Sequence, residues 1–253
     1  MNENDGEYGK GRGSQTNQSS KFLKNELVQG DPDGVDEPLY QSIITQYIEE
    51  HPKKIVNKVP SPDVSMMYSL NPYQGCEHGC IYCYARNSHQ YWGYSAGLDF
   101  ESKIIVKPDA PRLLEKFLSN KKWEPIPITL SGNTDCYQPA ERKFKITRQC
   151  LEVMLKYKHP IAFITKNSLI LRDLDLLTEL AKLKLVRVMV SITSLDESLR
   201  LKLEPRTATA TKRLQILNEL SEAGIACGVM TAPIIPGLNS MEIPALIKAA
   251  ADN

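Results

Sequence analysis

No part of this chain constrains its fold more than Asn71-Pro72-Tyr73-Gln74-Gly75-Cys76-Glu77-His78-Gly79-Cys80-Ile81-Tyr82-Cys83-Tyr84-Ala85-Arg86. Cys76, Cys80 and Cys83 stand in a C-x₃-C-x₂-C spacing on one short loop. Gly75 and Gly79 let the backbone wrap tightly, so the three sulfurs are expected to converge on a single point. Thiolates this close in sequence suit an iron–sulfur cluster or zinc. A cubane cluster has four irons and the loop offers three thiolates, which leaves one iron open to a ligand that is not protein. The competing arrangement is a structural zinc site with His78 as fourth ligand. Zinc sites usually pair two separated knuckles, and no second C-x₂-C occurs in the chain. Six cysteines in 253 residues are too sparse for a disulfide-stapled secreted domain.

The length permits one large domain or two small ones. With 31 basic and 30 acidic residues the chain is nearly neutral, so its overall charge demands no nucleic-acid partner. No apolar run approaches membrane-spanning length, and the stretch from Met1 to Asp5 lacks a signal-peptide pattern. No membrane contact is expected, and a cytoplasmic location follows, a reducing compartment that would also protect an oxygen-sensitive cluster.

Residues 1–37 are rich in Gly, Asn, Gln, Ser and charge and predict a flexible polar arm, including Gly9-Lys10-Gly11-Arg12-Gly13. An N-terminal extension over 38–65 follows. Within it residues 38–51 predict a short helix with Ile43, Ile44, Tyr47 and Ile48 on one side, and Pro52, Pro60 and Pro62 keep the approach extended. The core is expected over 66–253. Met66 to Leu70 is the first strand, and the cysteine loop leaves its end. Residues 104–106 form a short β-like run, and Pro111 opens a helix. Strands then alternate with helices: Ile126–Leu130, Ile146–Tyr157, Ile161–Thr165, Leu169–Leu183, Val186–Thr193, 210–223 closed by Gly224, Ile225–Thr231, and a last helix capped by Ser240. This alternation predicts an α/β fold of parallel βαβ units, five in number, with active residues at the strand C-termini.

Each strand end is polar or exposes backbone. The second leads into Ser131-Gly132-Asn133-Thr134-Asp135-Cys136-Tyr137-Gln138-Pro139, and the third into Thr165-Lys166-Asn167, a lysine suited to a carboxylate. The fourth ends in Ser191-Ile192-Thr193-Ser194, with two hydroxyls on one face. The fifth ends in Thr231-Ala232-Pro233-Ile234-Ile235-Pro236-Gly237, whose prolines free backbone groups. Singly these are ordinary turns, but four in series after a three-cysteine loop are hard to explain that way.

From about residue 50 onward the chain resembles the radical S-adenosylmethionine superfamily, in the branch of bacterial proteins related to spore photoproduct lyase. The resemblance rests on the cysteine loop, Asn133 to Pro139, Ile164-Thr165-Lys166, Arg172-Asp173, Glu204-Pro205-Arg206 and Ala232 to Gly237. It implies a partial (β/α)6-type barrel, here lacking the sixth strand, and a [4Fe–4S] cluster on Cys76, Cys80 and Cys83. S-adenosylmethionine would chelate the open iron. Tyr82 would pack by its adenine, Thr134, Lys166 and Ser191 would hold its carboxylate, and Ala232 would touch the adenine through its backbone. Tyr84 would face the reaction chamber. Where the lyase carries a hydrogen-donating cysteine this chain has Gly132, and Cys136, four residues on, is the other candidate thiol.

The implied reaction is reductive cleavage of S-adenosylmethionine to a 5′-deoxyadenosyl radical that acts on an unknown substrate, with an electron donor such as flavodoxin or ferredoxin. Two alternatives stand beside it: a nucleic-acid repair enzyme like the lyase, disfavoured by Gly132 and the near-neutral charge, and a shortened cluster- or zinc-binding chain without turnover. If the sixth strand is missing, Ile225 to Thr231 would be an exposed edge.

Overall fold

The strands arise where apolar side chains alternate with period two. Ile128 and Leu130, Ile161 and Phe163, and Val186, Val188 and Val190 are buried, and the residues between them face the other way. The computed structural model describes residues 11–18, 44–61, 63–64 and 66–253. Its strands are β1 (Gln46–Glu49), β2 (Val56–Lys58), β3 (Tyr68–Leu70), β4 (Tyr73–Gln74), β5 (Lys103–Val106), β6 (Ile128–Leu130), β7 (Ile161–Thr165), β8 (Val186–Ser191) and β9 (Ala226–Met230). Its α-helices are α1 (Asp99–Ser102), α2 (Ala110–Leu118), α3 (Ala140–Phe144), α4 (Ile146–Lys156), α5 (Leu174–Lys182), α6 (Glu197–Leu203), α7 (Ala210–Glu222) and α8 (Ile243–Ala251).

Six strands form the main sheet in the order β2-β3-β6-β7-β8-β9. β3, β6, β7, β8 and β9 run parallel, and β2 adds an antiparallel edge on β3. The core lies between this sheet and its helices, where Leu114, Leu151, Met154, Leu177, Leu180, Ile216 and Leu220 are buried. The opposite face carries Thr129, Ala162, Ile164, Arg187, Met189 and Met230, and bounds a cavity of about 600 Å³. Ser191, paired with Met230, belongs to that open face at the C-terminal end of β8. A second sheet, β1-β5-β4, packs beside the first and braces the start of the cysteine loop.

Three local expectations need correcting. Residues 46–49 are strand, not helix: Tyr47 and Ile48 pair with Ile104 and Ile105, a ladder that outweighs helical spacing in so short a run. Residues 38–43 of that expected helix lie outside the described residues. The helix expected over 169–183 is a 3₁₀ segment, Ser168–Asp173, followed by α5, because the Asn167 side chain accepts from Leu169 N at 3.0 Å and turns the chain early. Ser240 does not cap α8. It begins a 3₁₀ turn, and its hydroxyl accepts from Gly237 N. Gly224 does close α7 in the left-handed region, at φ 71°.

Of the arm expected over 1–37, residues 11–18 are described, and they lie against the cysteine loop with Arg12 only 6% exposed. Among the described residues no helix is long and apolar enough to cross a membrane.

Among the described residues β9 pairs with β8 alone. Deuterium uptake within Ala226–Met230 is therefore expected to exceed that within Ile161–Thr165, which is paired on both sides. Equal protection would mean that the outer edge of β9 is covered.

Candidate active site

The cysteine loop is shaped by two left-handed glycines, Gly75 at φ 80° and Gly79 at φ 69°. A side chain at either would collide: an added Cβ would lie 2.9 Å from Phe100 O at Gly75, and 2.9 Å from a Glu101 carboxylate oxygen at Gly79. Neighbouring elements then clamp the loop. Cys76 N donates to Phe100 O at 2.8 Å, and Ile81 N to Leu203 O at 3.0 Å. The buried Gln138 side chain accepts from Glu77 N and donates to Gly75 O, at 3.1 and 2.9 Å. Arg86 donates through Nε and Nη2 to Cys80 O at 3.1 and 2.9 Å.

All three loop cysteines are free thiols, with Cys76 and Cys80 buried and Cys83 half-buried. Burial pushes the Cys80 thiol up to about 12. It also raises the Cys76 thiol well above its usual range, with Asp135, Cys80 and Cys83 adding to the effect, so the thiols feel one another. Lys166 opposes the shift at both Cys80 and Cys83. Contrary to the single point expected, no three His, Cys, Asp or Glu side chains among the described residues converge on one ion.

His78 is fully buried, and burial lowers its pKa to about 4. Both ring nitrogens are engaged: Nδ1 lies 3.4 Å from Asp135 Oδ2, and Nε2 lies 3.1 Å from Asn167 Nδ2. In the neutral ring Nδ1–H faces the Asp135 carboxylate and the Nε2 lone pair faces the Asn167 amide, so zinc could take His78 only by displacing that amide. Three free thiols on one loop, with Cys83 N donating to Cys80 O at 3.3 Å, fit a cluster in which each thiolate would take a different iron.

Beside the loop, the ends of β7 and β8 form a polar cluster. Lys166 Nζ donates to Ser191 Oγ at 2.6 Å and lies 5.8 Å from the centre of the Tyr82 ring. Beneath them Glu204 is 0% exposed. It accepts from the Tyr82 hydroxyl and from Thr193 Oγ1, pairs with Arg213 at 2.5 Å, and lies 3.6 Å from Lys166 Nζ. Burial opposes ionisation of Glu204. Lys166, Arg213 and the two hydroxyls overcome that cost and hold its pKa at about 2. Asp135 ties the strand ends together: it accepts from Thr165 Oγ1 at 2.9 Å and from Lys166 N at 2.8 Å, and faces His78.

Tyr82, Lys166 and Ser191 are thus in one cluster, and Ala232 O borders it, 3.5 Å from Thr193 Oγ1. Thr134 lies at the base of the loop, where its hydroxyl donates to Tyr73 O at 2.7 Å. Tyr84 is 73% exposed and reaches across the opening to donate to Gly132 O at 2.9 Å. Cys136 is set apart from these residues: it is 0% exposed in the apolar core, and burial, then Asp135, drive its thiol far up. The spacing of Cys136 gave no sign of this; its fully buried neighbours Tyr137 and Ala140 do.

Glu204, Arg213 and Asp135 were given no role from the sequence. Glu204 sits in the Glu204-Pro205-Arg206 motif, and its signal was a lone acid flanked by apolar residues ahead of a proline. Arg213 is concealed among the other charged residues of α7, Lys212, Glu219 and Glu222. Replacing Glu204 with Gln would leave the buried Arg213 and the half-buried Lys166 under-compensated and should destabilise the fold by about 3–5 kcal/mol. The folded pKa of Glu204 lies below its usual 4.5, so its contribution is complete above that pH and is lost as pH falls toward about 2. Acid titration of stability should show this loss in the wild type and lack it in E204Q; parallel curves would remove Glu204 from the network.

The Radical SAM superfamily model matches residues 70–250. An uncharacterized protein of Mycobacterium tuberculosis is 34% identical over 187 residues, covering 74% of this chain and 55% of that protein. An uncharacterized protein of Methanocaldococcus jannaschii is 32% identical over 191 residues, covering 75% and 68%. The chain thus spans little more than half the length of the mycobacterial relative. Among solved structures, spore photoproduct lyase complexed with dinucleoside spore photoproduct superposes with a TM-score of 0.59 at 19% identity, covering 83% of this chain and 58% of that one. A doubly substituted form of the lyase with bound AdoMet and the same dinucleoside gives 0.58 at 20% identity, covering 82% and 57%. At such identity these structures establish a shared fold. The family-model match supplies the rest: this chain belongs to the radical SAM superfamily, whose members use a [4Fe–4S] cluster and S-adenosylmethionine.

Proposed function

We propose that the chain is a radical S-adenosylmethionine enzyme in which Cys76, Cys80 and Cys83 hold a [4Fe–4S] cluster. The observation that carries this reading is the juxtaposition of the three-thiol loop with Lys166 and Ser191, joined through Tyr82 and Glu204. When bound, the cluster supplies the electron that cleaves S-adenosylmethionine to methionine and a 5′-deoxyadenosyl radical, which takes a hydrogen atom from substrate.

The chain's own residues then bind and orient. Lys166 offers a cation and Ser191 a hydroxyl to the carboxylate of S-adenosylmethionine, while Thr134, with its hydroxyl on Tyr73 O, supports the loop from below. The Tyr82 ring is fixed by Glu204 and Thr193 and can flank the adenine, and the Ala232 backbone borders the same space. Tyr84 stands over the mouth, on the Gly132 carbonyl. We read the open sheet face as the inside of a partial barrel, to which the described residues contribute five parallel strands, with an N-terminal arm and extension ahead of it. The substrate is unassigned, and a donor such as flavodoxin or ferredoxin would deliver the electron.

A nucleic-acid repair role like that of the lyase has less support. Gly132 brings no thiol to the mouth, and Cys136 is enclosed in the core, where it enters this reading as a packing residue.

Anaerobic reconstitution should load iron and sulfide, and addition of reductant and S-adenosylmethionine should release 5′-deoxyadenosine. Joint replacement of Cys76, Cys80 and Cys83 by Ala should abolish iron binding; retained iron and sulfide, or zinc in place of iron, would overturn the reading. Lys166→Ala should weaken S-adenosylmethionine binding roughly 10- to 150-fold with the cluster intact, the worth of a charge-assisted hydrogen bond. An unchanged dissociation constant would remove Lys166 from the site.

A further inference from the structure

The glycine- and arginine-containing segment ahead of the core is built into the underside of the cysteine loop. Gly13 N and Ser14 N donate to the two carboxylate oxygens of Glu101, at 2.9 and 2.7 Å. Arg12 Nη1 donates to Glu101 O at 2.5 Å, and its Nη2 to Thr45 Oγ1 at 3.0 Å, which in turn donates to Glu77 in the loop. Further along, Leu98 N donates to Thr16 O at 3.0 Å, Gln18 N donates to Ser95 Oγ at 2.7 Å, and the Asn17 side chain exchanges two hydrogen bonds with Asp99. The fit is close enough to exclude side chains on both partners. A Cβ at Gly13 would lie 1.7 Å from Gly79 O, and one at Gly97 would lie 2.0 Å from Thr16 O.

Glu101 is the hinge of this arrangement. It is fully buried, and the same carboxylate that receives the two backbone N–H groups also pairs with Arg86 at 2.5 Å. Arg86 in turn holds the carbonyl of Cys80. A continuous path of hydrogen bonds therefore runs from Gly13 through Glu101 and Arg86 to the middle cysteine. A carboxylate so placed needs several donors to offset its burial, and the segment supplies two of them.

We propose that residues 11–18 are a strap that positions the cysteine loop, fixing Cys80 through Glu101 and Arg86 and closing the underside of the metal site. The proposal rests on the loop being that site, but the packing it describes exists whatever metal is bound. Arg12, Gly13 and Glu101 act as positioning residues, through Arg86.

The test uses the 253-residue chain carrying Gly13→Ala, in which the added methyl cannot fit against Gly79 O, with Arg12→Ala as a second variant. Each is compared with wild type in the metal-free state by site-resolved alkylation of cysteines, and after reconstitution by the rate at which a chelator removes iron. Alkylation of Cys76, Cys80 and Cys83 should rise about tenfold, as expected for local opening, while that of Cys136 and Cys150 stays unchanged. Iron loss should accelerate in the same variants, and deuterium uptake should rise at 11–18. A general loss of stability would expose all cysteines together, and that result would overturn the positioning role. Unchanged uptake at 11–18 in Gly13→Ala would overturn the docking itself, and displaced strap with unchanged loop alkylation would overturn its consequence. Failure of the metal reading gives a different pattern: strap-dependent alkylation persists while no iron is bound.

Discussion

A buried carboxylate holds this site together. Glu204 is withdrawn from water, yet remains charged because Arg213 and Lys166 approach it from the helix and strand sides and two hydroxyls donate to it. Burial of a single charge costs several kcal/mol, so none of these partners is independent of the others. Glu204 and Thr193 together orient Tyr82, and Lys166 and Arg213 together keep Glu204 charged. The cysteine loop is thereby connected to β7, β8 and α7, elements that lie some 80 to 130 positions further along the chain.

The architecture was largely legible because it depends on periodicity. Strands such as Ile161–Thr165 and helices such as Ile146–Lys156 were readable from runs of buried side chains at period two or near four. The errors were of two kinds. Gln46–Glu49 is too short for periodicity to discriminate, and its conformation is decided by a β-ladder to residues 103–106 that only the fold supplies. The break after Asn167 and the 3₁₀ start at Ser240 reflect single side-chain hydrogen bonds that override an otherwise helical pattern.

For the candidate site, the cysteines and Lys166 stand out in the sequence because their chemistry is unusual at those positions. What escaped was the supporting set. Gln138, Asp135, Glu101 and Arg213 resemble ordinary surface residues in the sequence, and their burial is a tertiary fact. Cys136 shows the converse, since a thiol near a strand end looks reactive until its enclosure is seen. Gly11-Arg12-Gly13 read as a solvated tail because low apolar content usually means just that, whereas here glycine permits backbone contact too close for any other residue.

The resting partners of Lys166 bear on ligand choice. Its ammonium already holds Ser191 and lies near Glu204, so an arriving carboxylate enters an exchange of partners and does not meet a bare cation. Under the proposed reading, the gain from Lys166 is the charge-assisted hydrogen bond formed less the contacts given up to Ser191 and Glu204. Discrimination then falls to shape: a molecule is retained when the rest of it also fills the space beside Tyr82 and Ala232. On the proposed reading, simple anions such as acetate or chloride would meet Lys166 alone and be poor competitors, so contour would add to charge in selecting the occupant.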